Sequence, residues 1–327
     1  MTETVSGEPH HLPPLVVYGV EERTDPREAL ENRMAARKVA DVLRAERLEV
    51  SASMDPVLAF PPDRFEIFNL CEGEPETAFG FASAAGFFER NGYRHTGETS
   101  AVLAAAQDKW RLKEFLGQAG IDAPPGVLLK TPGDVRGWTD WPAILKRVDE
   151  HGSLHLTPRN VVFSADEAEP VAAELCGAGF RVLLEKFIDG MEISVCLLRE
   201  KGELKAAGAL AKDFSGIGDV RQRILSYEYK WGAAPGARET VLSMPLRPEE
   251  IPEELAGAAL KAYSAIGGEV YGRVDFRMDA RGRGWVIDLN PNCYAGEDGA
   301  LARCWENGGG NYPDLIWRLL KLIDRGS

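Results

Sequence analysis

The first third of the chain alternates between short apolar runs and longer amphipathic stretches. Residues 15–20 and 65–70 are rich in aliphatic and aromatic side chains, which predicts β-strands. Residues 28–47 and 77–92 have the composition of helices. The expected apolar side of the first helix comprises Leu30, Met34, Val39, Val42 and Leu43. Strands that alternate with helices indicate a small parallel α/β unit that ends near residue 107, with a ligand at its strand ends.

The remainder of the chain is richer in strands. Helices are predicted at residues 108–119, 165–178, 251–266 and 312–323, and strands at 127–130, 143–147, 161–163, 182–188, 192–198 and 205–211. The fold class is therefore α/β, in part α+β, with domains at residues 1–107, 108–187 and 188–327.

A predicted hairpin near the C-terminus, at residues 271–279 and 285–292, carries unusual polar residues for a buried element. These residues are Arg273, Asp275, Asp288 and Asn290. Unpaired buried charge is costly, so the residues require an explanation. Oxygen ligands suit Mg²⁺, and a neighbouring arginine suits a negatively charged phosphoryl or acyl group. A structural Arg–Asp pair with a turn asparagine explains the hairpin equally well, and the hairpin alone leaves both interpretations open.

Two further motifs suggest a nucleotide site. The strand ending in Glu185, Lys186, Phe187 and Ile188 turns at residues 189–190 and returns with Glu192. A hinge of this kind can bind an adenine edge through its backbone, with the second acid near the ribose hydroxyls; a plain β-turn with surface charges is the alternative. Lys146 ends another apolar strand before a loop at 149–154, a pattern that suits phosphate but is common.

Composition narrows the class of protein. The 44% hydrophobic and 27% charged residues are typical of a globular protein, and 327 residues suffice for two or three domains. A net charge of −13 argues against nucleic acid or an anionic membrane as a partner. No apolar run has the length of a membrane span, and the N-terminus lacks the features of a secretory signal. Five cysteines without a Cys-x-x-Cys pair predict reduced thiols, and therefore a cytoplasmic protein.

The order and spacing of these motifs resemble those of the ATP-grasp carboxylate–amine ligases, closest to the D-alanine–D-alanine ligase group. The resemblance runs from about residue 65 to the C-terminus and implies a three-domain ATP-grasp fold. Residues 108–124 are similar to the segment that opens the central domain, and residues 226–231 to a mobile Tyr/Lys segment.

The resemblance implies a role for each motif. The nucleotide phosphates would be bound by Lys109 and Lys146 under a lid at 149–156 that includes Ser153, and Lys230 would reach the γ-phosphate. The adenine hinge would be Glu185, Lys186, Phe187 and Ile188, with Glu192 at the ribose. Arg273 would stabilise the oxyanion, and Asp275, Asp288 and Asn290 would bind Mg²⁺, or alternatively Mn²⁺. ATP would phosphorylate a substrate carboxylate, and an amine would displace phosphate from the acyl phosphate.

Departures from the family pattern lie mainly on the substrate side. Glu72 stands where the family has a histidine, and either a substrate ammonium or a turn cap explains it. Glu21 or Glu22 loosely replaces the acid that holds the first amino acid. Gly299 aligns with the serine that takes the acceptor carboxylate, and Tyr294 lies in the same segment. The bridging metal ligand, Asp288, replaces the usual glutamate.

These departures lead us to expect a ligase that joins an amino acid other than D-alanine to another small-molecule amine. The alternatives are a D-alanine–D-alanine ligase proper, an ATP-grasp kinase, and a nucleotide-binding protein without ligase activity. The resemblance also allows a homodimer.

Overall fold

In the computed structural model, three β-sheets account for the core of the chain. The structure describes residues 12–20, 26–73, 77, 80–149, 156–226 and 241–324. The N-terminal unit contains strands β1 (Pro14–Gly19), β2 (Glu46–Val50) and β3 (Glu66–Leu70), and helices α1 (Pro26–Leu43), α2 (Phe81–Arg90) and α3 (Ser100–Gln107). The strands form a parallel sheet in the order β2-β1-β3. The expected parallel α/β unit is therefore present.

The first helix differs from its prediction in length and in the side that it buries. It ends at Leu43, and Arg44 adopts a left-handed φ of 53° before β2 begins. Leu30 and Met34, expected on the apolar side, are each 56% exposed. The buried side of α1 instead consists of Ala29, Ala35, Ala36, Val39, Ala40 and Leu43. Small alanines let the helix lie close against the sheet, so the largest apolar side chains do not mark its buried face.

The central unit is a four-stranded antiparallel sheet flanked by helices. Its elements are α4 (Lys109–Gln118), β4 (Gly126–Leu129), β5 (Ala143–Arg147), β6 (Val161–Val162), α5 (Ala165–Gly177) and β7 (Val182–Lys186). The strand order β4-β7-β5-β6 places β7, which leads into the predicted hinge, between β4 and β5.

The C-terminal unit is a five-stranded antiparallel sheet in the order β10-β9-β8-β11-β12. Its elements are β8 (Glu192–Glu200), β9 (Glu203–Asp213), β10 (Leu242–Leu246), α6 (Glu253–Ala265), β11 (Tyr271–Met278), β12 (Gly284–Asn290), α7 (Ala300–Asn307) and α8 (Tyr312–Lys321). Among the residues described, every helix is too short or too polar to cross a lipid bilayer.

The two faces of the five-stranded sheet differ in chemistry. One face packs into an apolar core with α4 and α6 through residues such as Val195, Val274 and Phe276. Side chains directly opposite one another on neighbouring strands share a face. The other face therefore carries Glu192, Ser194, Lys212, Arg273, Asp275, Arg277, Asp288 and Asn290. A face with this many ionisable groups is the natural floor of a polar site.

Candidate active site

Two lysines from one helix and one from a strand converge at the hinge end of the central sheet. Helix α4 begins after Asp108, whose carboxylate accepts a hydrogen bond from the backbone N–H of Arg111 at 2.8 Å. Lys109 and Lys113 lie one turn apart on α4, so both point to the same side. The Lys113 Nζ is 2.8 Å from Glu185 Oε2, and the Lys146 Nζ is 2.5 Å from Glu185 Oε1.

Glu185 is the anion that holds this cluster together. Its side chain is only 3% exposed. Burial alone raises the pKa of such a carboxyl, but the Lys113 and Lys146 ammonium groups outweigh it and lower the pKa of Glu185 to about 2. The carboxylate is therefore ionised at neutral pH and holds the ammonium groups of Lys113 and Lys146 in place.

The backbone of the predicted hinge leaves one donor available. The N–H of Lys186 donates to Pro125 O and that of Phe187 to Pro142 O, each at 2.9 Å. In the part of the chain that the structure describes, the N–H of Ile188 has no acceptor. The Lys186 side chain turns outward to Asp140, with Nζ–Oδ1 at 2.9 Å, so only its backbone faces the hinge. A ligand with an acceptor edge can therefore bind at Ile188.

Glu192 and Arg277 form the floor beneath this hinge. Glu192 is 7% exposed, and no described lysine, arginine or histidine lies within ion-pair distance of its carboxylate. Arg277, opposite Glu192 on β11, donates to Gly190 O at 2.8 Å and lies over the rings of Phe187 and Phe214. Burial lowers the pKa of Arg277, and Glu192 partly opposes that effect. Arg277 thus fixes the turn after the hinge, while the Glu192 carboxylate remains able to accept hydroxyl donors.

The hairpin β11–β12 brings its four polar residues together. Asp275 lies directly opposite Asp288, and Arg273 opposite Asn290. Arg273 holds Asp275 in a bidentate pair, with Nε–Oδ1 at 2.8 Å and Nη2–Oδ2 at 2.9 Å. Burial lowers the pKa of Arg273, but this ion pair more than offsets it, so the guanidinium pKa stays above its ordinary value.

The fourth polar residue also makes a local contact. Asn290 Oδ1 accepts the backbone N–H of Asn292 at 3.1 Å. Both interactions of the structural alternative, the Arg–Asp pair and the turn asparagine, are therefore present. The side-chain oxygens of Asp275 and Asn290 can still accept a further ligand, because each oxygen carries two lone pairs and these contacts use only one.

A lysine links the two halves of the cleft. The Lys109 Nζ lies 4.0 Å from Asp288 Oδ1, and the Lys109 side chain is 12% exposed. The start of α4 therefore faces the end of β12, and the hinge cluster and the hairpin cluster belong to one site.

The hairpin offers oxygen donors to a metal ion. The described residues contain no group of three or more His, Cys, Asp or Glu side chains placed to hold a metal. The available donors are instead two carboxylates and one carboxamide on adjacent strands. This all-oxygen set suits a hard divalent cation, provided that Asp275 shares its carboxylate with Arg273.

The predicted substrate residues Glu72, Tyr294 and Gly299 lie near the open end of the hairpin, where β12 ends. The charge of Glu72 is close enough to contribute to a raised pKa at Cys293 and Tyr294. For Cys293, burial is the main cause and raises the pKa to about 12, which leaves the thiol uncharged. Burial also dominates at Tyr294. Glu72, at the end of β3, therefore faces the segment after β12.

Gly299 precedes α7, and its N–H donates to Gly296 O at 2.9 Å. A Cβ at this position would lie 2.8 Å from the carbonyl oxygen of Tyr294 and 3.0 Å from that of Gly296. The position where the family has a serine therefore cannot hold a side chain in this backbone arrangement.

Some predicted residues lie outside the described part of the chain. These are Lys230, Ser153, Glu21 and Glu22. Their proposed roles stay predictions.

Two charged residues of the cleft were missed in the sequence, although both had a signal. Lys113 follows Lys109 at the spacing of one helical turn, and Arg277 continues the alternation of Arg273 and Asp275 along one strand face. The helical spacing places Lys113 on the same side of α4 as Lys109, and the strand alternation places Arg277 on the same face of β11 as Arg273.

Comparison with solved structures identifies the fold. A D-alanine–D-alanine ligase from Bacillus anthracis in complex with ATP matches with a TM-score of 0.70 and 16% identity, over 97% of this chain and 100% of that one. A second structure of that ligase matches with a TM-score of 0.71 and 17% identity. At this identity the likeness establishes the fold, which is that of the ATP-grasp ligases.

Sequence comparison leads to the family. The chain is 26% identical to the D-alanine–D-alanine ligase of Alkalilimnicola ehrlichii over 238 residues, covering 72% of this chain and 71% of that protein. It is 29% identical to the corresponding ligase of Bifidobacterium adolescentis over 269 residues, covering 73% and 68%. The model of the family described as D-ala D-ala ligase C-terminus matches residues 129–321, more than half of the chain, and the chain belongs to that family. The expected class, an ATP-dependent ligase with an ATP-grasp fold, is thereby confirmed.

Proposed function

We propose that this ligase joins the carboxylate of one amino acid to the amine of a second small molecule through an acyl phosphate. The observation that carries the proposal is the 4.0 Å approach of Lys109 to Asp288. This contact joins the lysine cluster, which suits phosphate groups, to the hairpin cluster. The hairpin cluster supplies oxygen ligands for a cation and an arginine for the reacting carboxylate. Positioning and charge stabilisation are what phosphoryl transfer requires of a protein.

The nucleotide would lie between the central and C-terminal sheets. The N–H of Ile188, which has no acceptor among the described residues, would donate to the adenine edge, and Glu192 would accept the ribose hydroxyls. Lys109 and Lys146 would hold phosphate oxygens, with Lys113 and Glu185 keeping Lys146 in place. Ser153 and Lys230 are proposed for the lid and the γ-phosphate from the resemblance alone.

Asp275, Asp288 and Asn290 would hold a divalent cation, for which Mg²⁺ is our proposal and Mn²⁺ the alternative. Such a cation neutralises charge that develops on the transferred phosphoryl group. Arg273, oriented by Asp275, would donate to the oxyanion when the amine attacks the acyl phosphate carbonyl. The buried ion pair limits the rotation of the guanidinium, so little reorganisation accompanies the reaction.

The substrates are proposed at the level of their chemistry. The sequence relatives are D-alanine–D-alanine ligases, which makes D-alanine the first amino acid to test. The expectation of other substrates stays a prediction, supported by the steric closure at Gly299 and by Glu72 beside Tyr294. Glu72 would hold a substrate ammonium group.

The division into domains is also a proposal. Residues 1–107 would form the substrate domain, 108–187 the central nucleotide domain, and 188–327 the catalytic domain, in agreement with the three sheets. A homodimer and a cytoplasmic location remain predictions.

The test is phosphate release from Mg·ATP across a matrix of amino acids and amines, starting with D-alanine, followed by mass spectrometry. A signal that requires both substrates, with a product mass equal to their sum minus water, supports the proposal. A stable phosphorylated substrate would instead indicate a kinase. ATP binding without turnover throughout the matrix would favour a protein that only binds nucleotide.

A further inference from the structure

A lysine on the polar face of the large sheet has no role in the chemistry proposed above. Lys212 lies on β9, directly opposite Glu192 on β8 and Ser243 on β10. Its side chain therefore shares the face of the candidate active site. No described carboxylate lies within ion-pair distance of its ammonium group. Burial lowers the pKa of Lys212, and the charges of Glu192 and Asp275 only partly oppose that effect.

A second cation lies beside it. Arg303, on α7, donates from Nη1 to Ser243 Oγ at 3.1 Å. Residues directly opposite on neighbouring strands have Cβ atoms about 5 Å apart, so this contact brings Arg303 next to Lys212. Among the described residues, no carboxylate pairs with Arg303 either. The proximity agrees with the lowering of the Lys212 pKa by Arg303 and by Arg273.

The position of α7 connects this pair to the reaction centre. Gly208 lies opposite Cys196, which in turn lies opposite Arg273. A Cβ on Gly208 would lie 2.8 Å from the Cβ of Cys304, so α7 rests directly on the sheet at this level. The helix that carries Arg303 therefore lies over the strands that flank Arg273. Lys212 and Arg303 thus form a basic pair on the side of the site where α7 begins.

The basic pair is too far from the proposed phosphate position to serve it. Strands β9 and β12 are three places apart in the sheet. At about 4.8 Å between neighbours, this separates their backbones by roughly 14 Å. The lysines proposed for the phosphates approach from the central unit, where Lys109 reaches Asp288 on β12. A γ-phosphate and a cation at β12 are therefore out of reach of the basic pair, whereas Gly299, which aligns with the acceptor-binding serine of the family, lies one helical turn before Arg303 at the start of α7.

We propose that Lys212 and Arg303 bind a carboxylate on the side chain of the acceptor amine, so that the acceptor is an acidic amino acid. This inference rests on the proposed function and specifies its second substrate. Two neighbouring cations that form no ion pair with a described carboxylate would each gain a charge-assisted hydrogen bond from such a group. The lack of space for a side chain at Gly299 is consistent with an acceptor that is held by Lys212 and Arg303 instead.

The test compares binding of acidic ligands with that of their amides in the presence of Mg·ADP. Glutamate against glutamine and aspartate against asparagine, each as both enantiomers, are titrated by calorimetry into the full-length protein. We expect an acid to bind at least about tenfold more tightly than its amide. The variants Lys212→Met and Arg303→Met should reduce that ratio to within a few-fold of one, whereas Lys212→Arg should keep it. Lys205→Met, on the same strand but paired with Glu203 at 3.5 Å and exposed, is the matched control.

Three outcomes would overturn the proposal. Acids and amides could bind equally well, or not at all. The preference for acids could survive in both methionine variants. Finally, the variants could weaken Mg·ADP binding by the same factor with every ligand, which would assign Lys212 to the nucleotide. The titration with Mg·ADP alone separates these results from a failure of the proposed function, since it tests the nucleotide site independently.

Discussion

At the scale of single residues, buried charge was the most informative signal in the sequence. Arg273 and Asp275 stood out because a buried strand that contains Val, Phe and Met is not expected to carry charges, and they form the ion pair around which the hairpin site is built. Lys212 carried no such signal, because a lysine at the end of a strand is ordinary. Its significance depends on the absence of an ion pair with any described carboxylate, which only three-dimensional structure can show.

Replacement of Arg273 tests the proposed oxyanion donor. We expect Arg273→Ala to lower turnover by roughly two to three orders of magnitude, as loss of an oxyanion-hole donor does, while Mg·ATP affinity changes only a few-fold. Steady-state kinetics and nucleotide titration measure the two quantities. Arg283→Ala is the control, because Arg283 lies in the turn of the same hairpin, is half exposed and pairs with Asp122. Turnover near that of the wild type would remove Arg273 from the mechanism.

Gly299 provides a second test. The missing serine suggests that Gly299→Ser would restore a family contact, but the structure predicts a clash with the Tyr294 carbonyl at 2.8 Å. Overpacking of this kind costs about 1–3 kcal/mol, so both Gly299→Ser and Gly299→Ala should lower the free energy of unfolding. Gly308→Ala, whose new Cβ would lie 3.4 Å from its nearest neighbour, is the control. A Gly299→Ser protein as stable as the wild type would show that the segment can move aside.

At the scale of elements, apolar runs in the sequence located most strands, because most strands bury at least one face. Strand β5 was predicted with the bounds that it has, since four of its five residues are buried. Strands β2 and β10 were missed, because only Val50 is buried in the first and Leu242 is 62% exposed in the second. Helix α3 was also missed, since its alanines give a weak helical pattern.

Helix α1 allows a matched comparison of two leucines. Leu43 is 4% exposed and Leu30 is 56% exposed. Leu43→Ala should therefore cost about 2–5 kcal/mol in the free energy of unfolding. Leu30→Ala should stay within about 0.5 kcal/mol of the wild type. Urea unfolding measures both values. Equal losses in the free energy of unfolding would indicate that Leu30 is buried, as the sequence predicts.

At the scale of the whole molecule, the sequence predicted the order of the three units but not the contacts between them. The helix α4 opens the central unit, yet its lysine reaches Asp288 on the last strand of the C-terminal sheet. Contacts between residues so far apart in the chain have no local periodicity, so they cannot be derived from one sequence. The resemblance to a family supplied what the residue pattern could not.

The acid stability of the protein tests the cluster around Glu185. Its pKa is lowered from an ordinary value near 4.5 to about 2, so its contribution to stability is present above pH 4.5 and is lost as the pH falls towards 2. Glu185→Gln should flatten the pH dependence in that window. At neutral pH it should cost about 3–5 kcal/mol, because two lysines lose their buried partner.

Urea unfolding of the wild type and the variant from pH 2 to 7 measures both effects. Glu174→Gln is the control, since Glu174 pairs with Arg159 at 3.4 Å but is 67% exposed. A pH dependence in Glu185→Gln identical to that of the wild type would contradict the ionised cluster.

The proposed function depends most on the activation of the carboxylate substrate as an acyl phosphate. The most direct measurement uses the first active substrate pair, with the carboxylate labelled with ¹⁸O, and determines the label in the released phosphate by mass spectrometry. We expect one ¹⁸O atom in each phosphate, because the carboxylate oxygen attacks the γ-phosphorus and leaves with it when the amine attacks the carbonyl. Phosphate without label, formed alongside the amide product, would show that no acyl phosphate is formed.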